Sequence, residues 1–279
     1  MTILNADLHC HSTVSDGTLE PEILAERAKT RGVELWSLTD HDEIGGQQRA
    51  RTAALALGLP YLTGVEISVT FCNLTVHIVG LGFDPTNDAL VRGLERTRGG
   101  RGERAQEMGA GLAKVGIPGA YEGALKYAGN PELISRTHFA RFLVEQGVCR
   151  DTEQVFKNYL VEHKPGYVPH QWASLDDAVA WIKAAGGVAV IAHPGRYKLT
   201  AMQLDELFKH FKELGGLAIE VVTGSHSPAQ YQIYSKAAEH YGFMASRGSD
   251  FHDPQESYID LGKLPHLPEH LTPVWSVFH

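Results

Sequence analysis

The sequence of 279 residues contains little cysteine and no long apolar segment. Its three cysteines, Cys10, Cys72 and Cys149, show no C-x-x-C spacing, which argues against a disulfide framework and a thiolate zinc site. We expect them to be small buried hydrophobic residues. No apolar run approaches the ~20 residues that span a bilayer, and residues 1–7 lack the basic and apolar regions of a secretion signal. We therefore expect a cytoplasmic protein without a membrane segment.

A strongly basic composition is also missing. The formal net charge of −8 argues against a general nucleic-acid-binding surface. It does not exclude an anionic substrate, because bound cations would set the field of a pocket. With 43% hydrophobic residues, the chain can bury a large core, either as one α/β domain or as one domain with an insertion.

Histidine, in contrast, is abundant, with 15 residues. Residues 5–11 read N-A-D-L-H-C-H, and in an extended strand the side chains of Asp7, His9 and His11 point to the same face. Two imidazoles so spaced can direct ring nitrogens at one divalent cation. On this stretch alone, a pair of hydrogen-bonded structural histidines explains the pattern equally well.

The hydrophobic pattern predicts strands that alternate with helices. Between about residues 88 and 167 it predicts only helices, at 105–116, 122–127, 136–146 and 153–162, which indicates a mostly helical insertion. A tight turn at Asn73 is expected to join the third and fourth strands as a hairpin. The predicted strands are residues 5–11, 33–38, 61–67, 74–81, 187–192, 217–222 and 243–246.

Polar side chains lie at the ends of several predicted strands. In a barrel of mainly parallel strands the carboxyl ends gather at one mouth, so such residues would meet there. A buried imidazole or carboxylate is costly unless it is paired or bound to a metal, so a metal site explains the set better than stability does. For His77 and His138 taken singly, a structural histidine is an equal alternative. The set comprises His9, His11, Asp40, His41, Glu66, His77, His193, Asp250 and His252.

Six short motifs contain most of these residues: H-x-H at 9–11, S-D-G at 15–17, T-D-H at 39–41, G-V-E at 64–66, A-H-P at 192–194 and S-D-F-H at 249–252. In order and number they resemble the signature set of the PHP (polymerase and histidinol phosphatase) family, over almost the whole chain. The resemblance implies an α/β fold, a distorted (β/α)7 barrel of TIM-like type, and phosphoesterase chemistry at a metal cluster. Residues 1–100 and 166–279 would form the barrel, and residues 101–165 a mostly helical insertion that caps the active site.

Three further segments, S-R-T-H-F at 135–139, K-P-G-Y-V-P at 164–169 and A-H-P-G-R-Y at 192–197, resemble one branch of the family. That branch contains nucleoside 3′,5′-bisphosphate phosphatases and 5′-to-3′ exoribonucleases that act on short RNA. The resemblance implies two or three divalent ions. Mixed imidazole and carboxylate ligands suit Mn²⁺, which we expect, as well as Fe²⁺ or Zn²⁺.

The ligands implied by the resemblance form three sets. Several family members have histidine where this chain has Asp16, which leaves occupancy of the third set open. The first metal would be held by His9, His11, Glu66 and Asp250, the second by Glu66, His77 and His138, and the third by Asp16, His41 and His252.

The expected reaction is hydrolysis of a phosphate ester. Two cations that share a carboxylate can activate a water molecule to hydroxide and bind the oxygens of a phosphoryl group, here the 3′-phosphate. The leaving 3′-oxygen would be stabilised by a metal or protonated by His193, which stands outside the ligand sets. If the third metal is absent, Asp16 and His41 are the alternative catalytic proton donors.

A bisphosphate also requires fixed cations for the phosphate that is not cleaved. Arg136, Lys164 and Arg196 are the candidates, with Ser135 and His193 as further substrate-binding residues. For each of the three cations, a solvated surface charge is the alternative.

Other residues offer weaker indications of substrate contact. The arginine-rich run at residues 96–104 could touch RNA phosphates, but it is more typical of an exposed helix junction broken at Gly99 and Gly100. Tyr197, Phe251 and Trp172 could stack on a base or belong to the core.

The sequence thus favours a metal-dependent 3′,5′-nucleoside bisphosphate phosphatase with a small nucleotide as its partner. The alternatives are an exoribonuclease on short RNA, a histidinol phosphate phosphatase and an inactive metal-stabilised module. No membrane partner and no stable nucleic-acid complex are expected, and the oligomeric state is open. A closed pocket would favour the phosphatase, and an open channel with basic walls the nuclease.

Overall fold

The computed structural model describes residues 4–278. Over these residues seven strands form one sheet in chain order. The first and last strands also meet, because Leu8 N–H donates to Arg247 O at 3.0 Å and Asp250 N–H to His9 O at 2.8 Å. The sheet is therefore a nearly closed barrel, as predicted. Its strands are β1 (Ala6–Asp7), β2 (Leu35–Leu38), β3 (Tyr61–Phe71), β4 (Leu74–Leu81), β5 (Val188–Ile191), β6 (Ala218–Thr223) and β7 (Met244–Gly248).

One strand runs against the others. β4 pairs antiparallel with both β3 and β5, whereas the remaining neighbours are parallel. The predicted hairpin at Asn73 is confirmed, with Cys72 and Asn73 both at positive φ (47° and 61°), as a tight hairpin turn requires. Because β4 is reversed, its early residues, including His77, lie at the rim where the parallel strands end.

Helices cover the outside of the barrel, and their apolar faces bury a large core that includes Ile67, Ile78, Leu94, Ile182 and Phe208. One of these helices, α3 (Asp88–Arg98), was not predicted, although the side chain of Asn87 caps its N-terminus. Helix α3 packs on α8 (Leu175–Ala184), where Gly93 lies against the ring of Trp181. These helices are α1 (Pro21–Thr30), α2 (Gln47–Ala56), α3 (Asp88–Arg98), α8 (Leu175–Ala184), α9 (Ala201–Glu213) and α10 (Pro228–Tyr241).

The segment between α3 and α8 is helical and has a separate apolar cluster that includes Met108, Leu112, Phe139, Leu143 and Leu160. The predicted helices are present there with shifted ends. They are α4 (Arg101–Ala113), α5 (Ala120–Leu125), α6 (Arg136–Glu145) and α7 (Thr152–Val155), which continues as a wider helical turn at Phe156–Leu160.

The cysteines and the lengths of the helices were also the subject of predictions. Cys10 and Cys149 are buried and unpaired, whereas Cys72 is exposed in the hairpin turn, contrary to expectation. Among the helices of residues 4–278, none has the length and apolar character needed to cross a bilayer.

Candidate metal centre

Eight side chains of the predicted set, together with Asp16, converge at one rim of the barrel. His9 and His11 follow β1, and their neighbours come from the ends of other strands and from β3 and β4. Burial is complete for His9, His11 and Glu66. The ligand atoms fall into three groups within which all lie less than 4.8 Å apart: His9, His11, Glu66 and Asp250; His41, Glu66 and His77; and His11, Asp16, His41 and His252.

The first group has the spacing of a coordination shell. His9 Nε2 lies 3.2 Å from His11 Nε2, and Glu66 Oε2 lies 3.3 Å from each of these nitrogens. Asp250 Oδ1 lies 3.5 Å from His9 Nε2 and 3.3 Å from His11 Nε2. Ligand atoms that surround one cation tetrahedrally at ~2.1 Å lie about 3.4 Å from one another. These four residues match the first ligand set expected from the sequence.

The second group centres on the other oxygen of Glu66. His77 Nδ1 lies 2.8 Å and His193 Nε2 2.9 Å from Glu66 Oε1, while His41 Nδ1 lies 2.9 Å from Glu66 Oε2. Glu66 thus faces the first group with one oxygen and His77 and His193 with the other, which is the arrangement of a bridging carboxylate.

The third group surrounds Asp16 Oδ1. His252 Nε2 lies 3.4 Å, His41 Nε2 3.8 Å and His11 Nδ1 4.0 Å from this oxygen. A neutral imidazole has one free lone pair, so His11 can serve only one of its two groups. Its closer contacts are in the first, which leaves Asp16, His41 and His252 here, the third set expected from the sequence.

The buried carboxylates of the centre favour positive charge beside them. Burial alone would lower the pKa of His9, but Glu220, Glu66 and Asp250 raise it well above its usual value. Burial likewise opposes protonation of His11, yet Asp250 and Glu66 raise its pKa to about 10. Burial would raise the pKa of Glu66, but His77, His41 and His9 hold it well below its usual value. The carboxylates therefore require positive charge here, from protons or from bound metal.

The unpaired atoms of the centre fit divalent cations. Buried polar atoms are normally hydrogen-bonded, so a cluster of unsatisfied ones indicates a missing ligand. Imidazole nitrogens and carboxylate oxygens are suitable donors for first-row divalent ions. Within residues 4–278 the buried atoms of the centre without a hydrogen-bond partner are His11 Nδ1, Asp16 Oδ1, His41 Nδ1, Glu66 Oε2, His77 Nδ1 and His193 Nδ1.

His138 does not join these groups, in contrast to the ligand set implied by the resemblance. It is the third residue of α6, and its Nδ1 accepts the Ser135 N–H at 3.0 Å as part of a capping box. With the Nδ1 lone pair so used, a neutral imidazole carries its proton on Nε2, which is buried and has no hydrogen-bond partner among the described residues. Burial lowers its pKa to about 4, so the ring is neutral. His193, not His138, contacts Glu66 beside His77.

This position also bears on the role expected for His193. Burial lowers its pKa to about 3. An imidazole with so low a pKa is neutral near pH 7 and carries a single N–H. The proton-donor role of His193 stays a prediction, and the structure places its Nε2 2.9 Å from Glu66 Oε1, beside His77.

Loop residues hold the centre in place through hydrogen bonds. Asp40 accepts from Ser12 N, Ser12 Oγ and Ser15 Oγ, each at 2.7 Å, and so fixes the loop that leads to Asp16. The first turn of α6 reaches the same loop, since Ser135 Oγ donates to Asp16 Oδ2 at 3.2 Å. The helical segment therefore contacts the centre directly.

A cavity opens from the centre toward the helical segment. Two of the predicted substrate cations, Arg136 and Arg196, line it, as does Ser135. Arg196 pairs with Asp250 Oδ2 at 2.7 Å. Lys164 is exposed and is absent from the described residues that line the cavity.

A further arginine, Arg101, lines this cavity and was not predicted to do so. Residues 96–104 do form a helix junction, between α3 and α4, but it is not simply exposed: Arg101 is 5% exposed and lines the cavity. Its guanidinium lies 4.5 Å from the centre of the Trp172 ring and donates to Asp42 Oδ2. The helical periodicity of α4 could have shown Arg101 and Arg104 on one face, although not which way that face points.

The three aromatic candidates separate clearly. Trp172 lines the cavity. Phe251 is 1% exposed and belongs to the core beneath the rim. Tyr197 uses its hydroxyl to donate to Ala192 O at 2.7 Å and to accept from His77 N–H at 2.9 Å. Of the three, Trp172 alone is among the described residues that line the cavity.

A barrel with clustered imidazole and carboxylate side chains at one rim is typical of metal-dependent hydrolases. Comparison with known proteins makes the class specific, because the model of the PHP domain matches residues 7–224. The chain belongs to the PHP domain family. It is similar to a 3′,5′-nucleoside bisphosphate phosphatase of Chromobacterium violaceum, with 51% identity over 97% of this chain and 95% of that protein. The 5′-3′ exoribonuclease Rnm of Escherichia coli is 42% identical over 98% of this chain and 93% of its own length.

Solved structures agree with this assignment. An amidohydrolase from Chromobacterium violaceum, with bound sulfate and no metal, superposes with a TM-score of 0.95 at 50% identity, covering 98% of this chain and 95% of that one. A Bifidobacterium adolescentis protein assigned as a metal-dependent phosphoesterase has a TM-score of 0.81 at 30% identity, covering 97% and 93%.

Proposed function

We propose that this protein hydrolyses the 3′-phosphate of nucleoside 3′,5′-bisphosphates, giving the nucleoside 5′-phosphate and inorganic phosphate. The main support is that one cavity contains both the metal-ligand cluster and a separate group of positive charges on the helical segment, Arg101 and Arg136. A substrate with two phosphates can bind the metal-ligand cluster with one phosphate and the positively charged group with the other. The identity of 51% to a protein named for this activity supports the proposal.

Only part of the second group of positive charges has a matching negative charge, because Arg101 pairs with the buried Asp42. Burial, and then the neighbouring Arg196 and Arg101, lower the pKa of Arg136, and no ion pair of Arg136 is present within residues 4–278. Burial and the nearby Arg136 and Arg101 also lower the pKa of Arg104, to about 10. An anion placed among these guanidinium groups would relieve their repulsion. We assign the 5′-phosphate to this position, with a bidentate contact from Arg136 and a further contact from Arg101, whose Nε has no hydrogen-bond partner among the described residues.

The metal ligands would be His9, His11, Glu66 and Asp250 for the first ion, Glu66, His77 and His193 for the second, and Asp16, His41 and His252 for the third. When bound, such ions activate water and neutralise phosphoryl charge, and we propose Mn²⁺ as the resident ion.

The chain itself contributes orientation and exclusion of water. Arg101 and Arg136 would hold the 5′-phosphate so that the 3′-phosphate faces Glu66. The helical segment, residues 101–165, would cover the mouth of the barrel as a cap over residues 1–100 and 166–279. Water attacks phosphorus, the bond between phosphorus and the 3′-oxygen breaks, and one proton of the water ends on that oxygen.

The proposal is tested by steady-state kinetics with Mn²⁺, comparing adenosine 3′,5′-bisphosphate with adenosine 3′-monophosphate. Arg136→Ala should raise KM for the bisphosphate about 10- to 100-fold, as expected for loss of a charged hydrogen bond, with little effect on the monophosphate. Lys164→Ala, a matched change outside the cavity, should leave both values unchanged. Equal KM for both substrates in the unaltered protein would contradict the assignment.

A second activity, 5′-to-3′ cleavage of short RNA, is favoured by one observation. A second cavity adjoins the first and shares Thr137, Phe156, Arg196, Asp250 and His252 with it. Cleavage of RNA breaks the same bond to the 3′-oxygen, but the phosphorus then carries a further nucleoside, which needs space beyond the centre. The similarity to exoribonucleases of Haemophilus influenzae and Escherichia coli supports this candidate.

A further inference from the structure

Glu220 is a buried carboxylate of β6, 1% exposed, that belongs to none of the sequence motifs. Its Oε1 lies 2.8 Å from His9 Nδ1, and its Oε2 accepts the backbone N–H of His193 at 2.6 Å. Both oxygens are therefore engaged behind the metal ligands, and Glu220 has no part in the three ligand groups formed by the described residues.

We propose that Glu220 is a positioning residue that selects the tautomer of His9 needed for metal binding and fixes the turn that carries His193. An ionised carboxylate only accepts hydrogen bonds, so His9 must donate its Nδ1–H to Glu220. The lone pair of His9 then lies on Nε2, the atom that faces His11, Glu66 and Asp250. Carboxylates that hold a metal-bound imidazole in this way raise metal affinity.

The second contact of Glu220 acts on the backbone. His193 has φ 25° and ψ 59°, a conformation that residues with a side chain rarely adopt and that needs support from its surroundings. The hydrogen bond from His193 N–H to Glu220 supplies part of that support. A single carboxylate thus joins the ring of the first ligand group to the backbone of a residue whose Nε2 lies 2.9 Å from Glu66 Oε1.

Replacement by glutamine separates this role from simple filling of space. Glutamine has nearly the shape of glutamate but only one acceptor oxygen. The backbone N–H of His193 can only donate, so it takes that oxygen, and the amide N–H₂ is left facing His9 Nδ1. His9 must then accept at Nδ1 and carry its proton on Nε2, where it blocks the metal.

The first test is calorimetric titration of the metal-free full chain with Mn²⁺. Glu220→Gln should weaken binding at the tightest site about 10- to 100-fold. Asp260→Asn is the control, because it also converts a carboxylate to an amide but contacts Arg27 and Arg31, not a ligand. A folded Glu220→Gln protein that binds Mn²⁺ within twofold of the unaltered chain would overturn the proposal.

The second test needs no variant, and so decides the question even if Glu220→Gln does not fold. In the unaltered chain loaded with Zn²⁺ alone, nitrogen NMR of labelled histidine should show His9 protonated at Nδ1 and metal-bound at Nε2. The opposite tautomer would refute the proposed role. Neither test depends on which phosphate ester is cleaved, so this inference can fail or succeed separately from the proposed function.

Discussion

The position of His9 depends on the absence of a side chain at Gly248. A Cβ atom on Gly248 would lie 2.3 Å from His9 Cβ and 2.7 Å from His9 N, closer than packed atoms allow. These atoms belong to the backbone and the Cβ of His9, so they cannot move away by side-chain rotation. Any larger residue must therefore push β7 from β1 at the rim, where Asp250 follows β7.

We therefore expect Gly248→Ala to reduce both stability and metal binding. Overpacking of this kind costs about 1–3 kcal/mol of unfolding free energy, and the displaced His9 should weaken Mn²⁺ binding at least about 10-fold. Urea unfolding in EDTA and calorimetric titration measure the two effects.

Gly102→Ala provides the matched control for this substitution. It is the second residue of α4, where no atom of the described residues lies within 4 Å of an added Cβ, so stability should rise by at most about 1 kcal/mol without change in Mn²⁺ affinity. Normal metal binding in Gly248→Ala would show that the rim tolerates the shift.

The helix α6 begins with a capping box in which histidine takes the place of the usual glutamine. Elsewhere in the chain, Thr200 with Gln203 and Ser227 with Gln230 form the same motif. At α6, His138 accepts the N–H of Ser135, whose hydroxyl in turn contacts Asp16. The start of this helix thus connects the helical segment to the third ligand group.

His138→Gln should retain the cap and remove its dependence on pH. The pKa of His138 falls from 6.5 to about 4 on folding because of burial, so the ring contributes fully to stability above pH 6.5. That contribution, at most about 3 kcal/mol, is lost as the pH falls toward 4, because the unfolded chain binds a proton that the folded chain does not. The unfolding free energy in EDTA should thus decline less steeply in the variant between pH 6.5 and 4.5.

The same variant distinguishes the two roles considered for His138. A helix cap predicts an unchanged number of bound Mn²⁺ ions per chain, measured by metal analysis after dialysis. Loss of one ion would instead support the ligand role implied by the resemblance to the PHP family.

Two adjoining cavities border the centre, and both are lined by Asp250 and His252. The second is walled by the loop after β7 and by α7, and Tyr258 spans these elements, since its hydroxyl donates to Glu153 Oε2 at 2.9 Å. Its ring is 82% exposed and therefore accessible to a base.

If this second cavity holds the nucleoside beyond the cleaved phosphate, Tyr258→Ala should affect the two substrates differently. Base stacking contributes about 1–3 kcal/mol, so kcat/KM for a 5′-phosphorylated dinucleotide should fall about 5- to 100-fold, with adenosine 3′,5′-bisphosphate unaffected. Tyr258→Phe retains the ring and should behave like the unaltered chain. Unchanged dinucleotide cleavage in Tyr258→Ala would exclude this path.

Much of the fold follows from local pattern. The strand and helix order, the hairpin at Asn73 and the helical segment were predicted, because alternation, turn residues and helical periodicity are properties of short stretches. Helix α3 and several element ends were not, since their limits depend on packing, as where Gly93 meets Trp181.

The sequence by itself determined the chemistry of the centre, because imidazole and carboxylate side chains at strand ends must meet at one rim of a barrel, as His9, Glu66 and Asp250 do. Only the tertiary structure decided the partners: that His193 and not His138 contacts Glu66, that Glu220 lies behind His9, and that Arg101 enters the cavity. The physical reason is distance along the chain, since these contacts depend on how separate elements pack and on which lone pair each imidazole leaves free, and no short stretch of sequence specifies either.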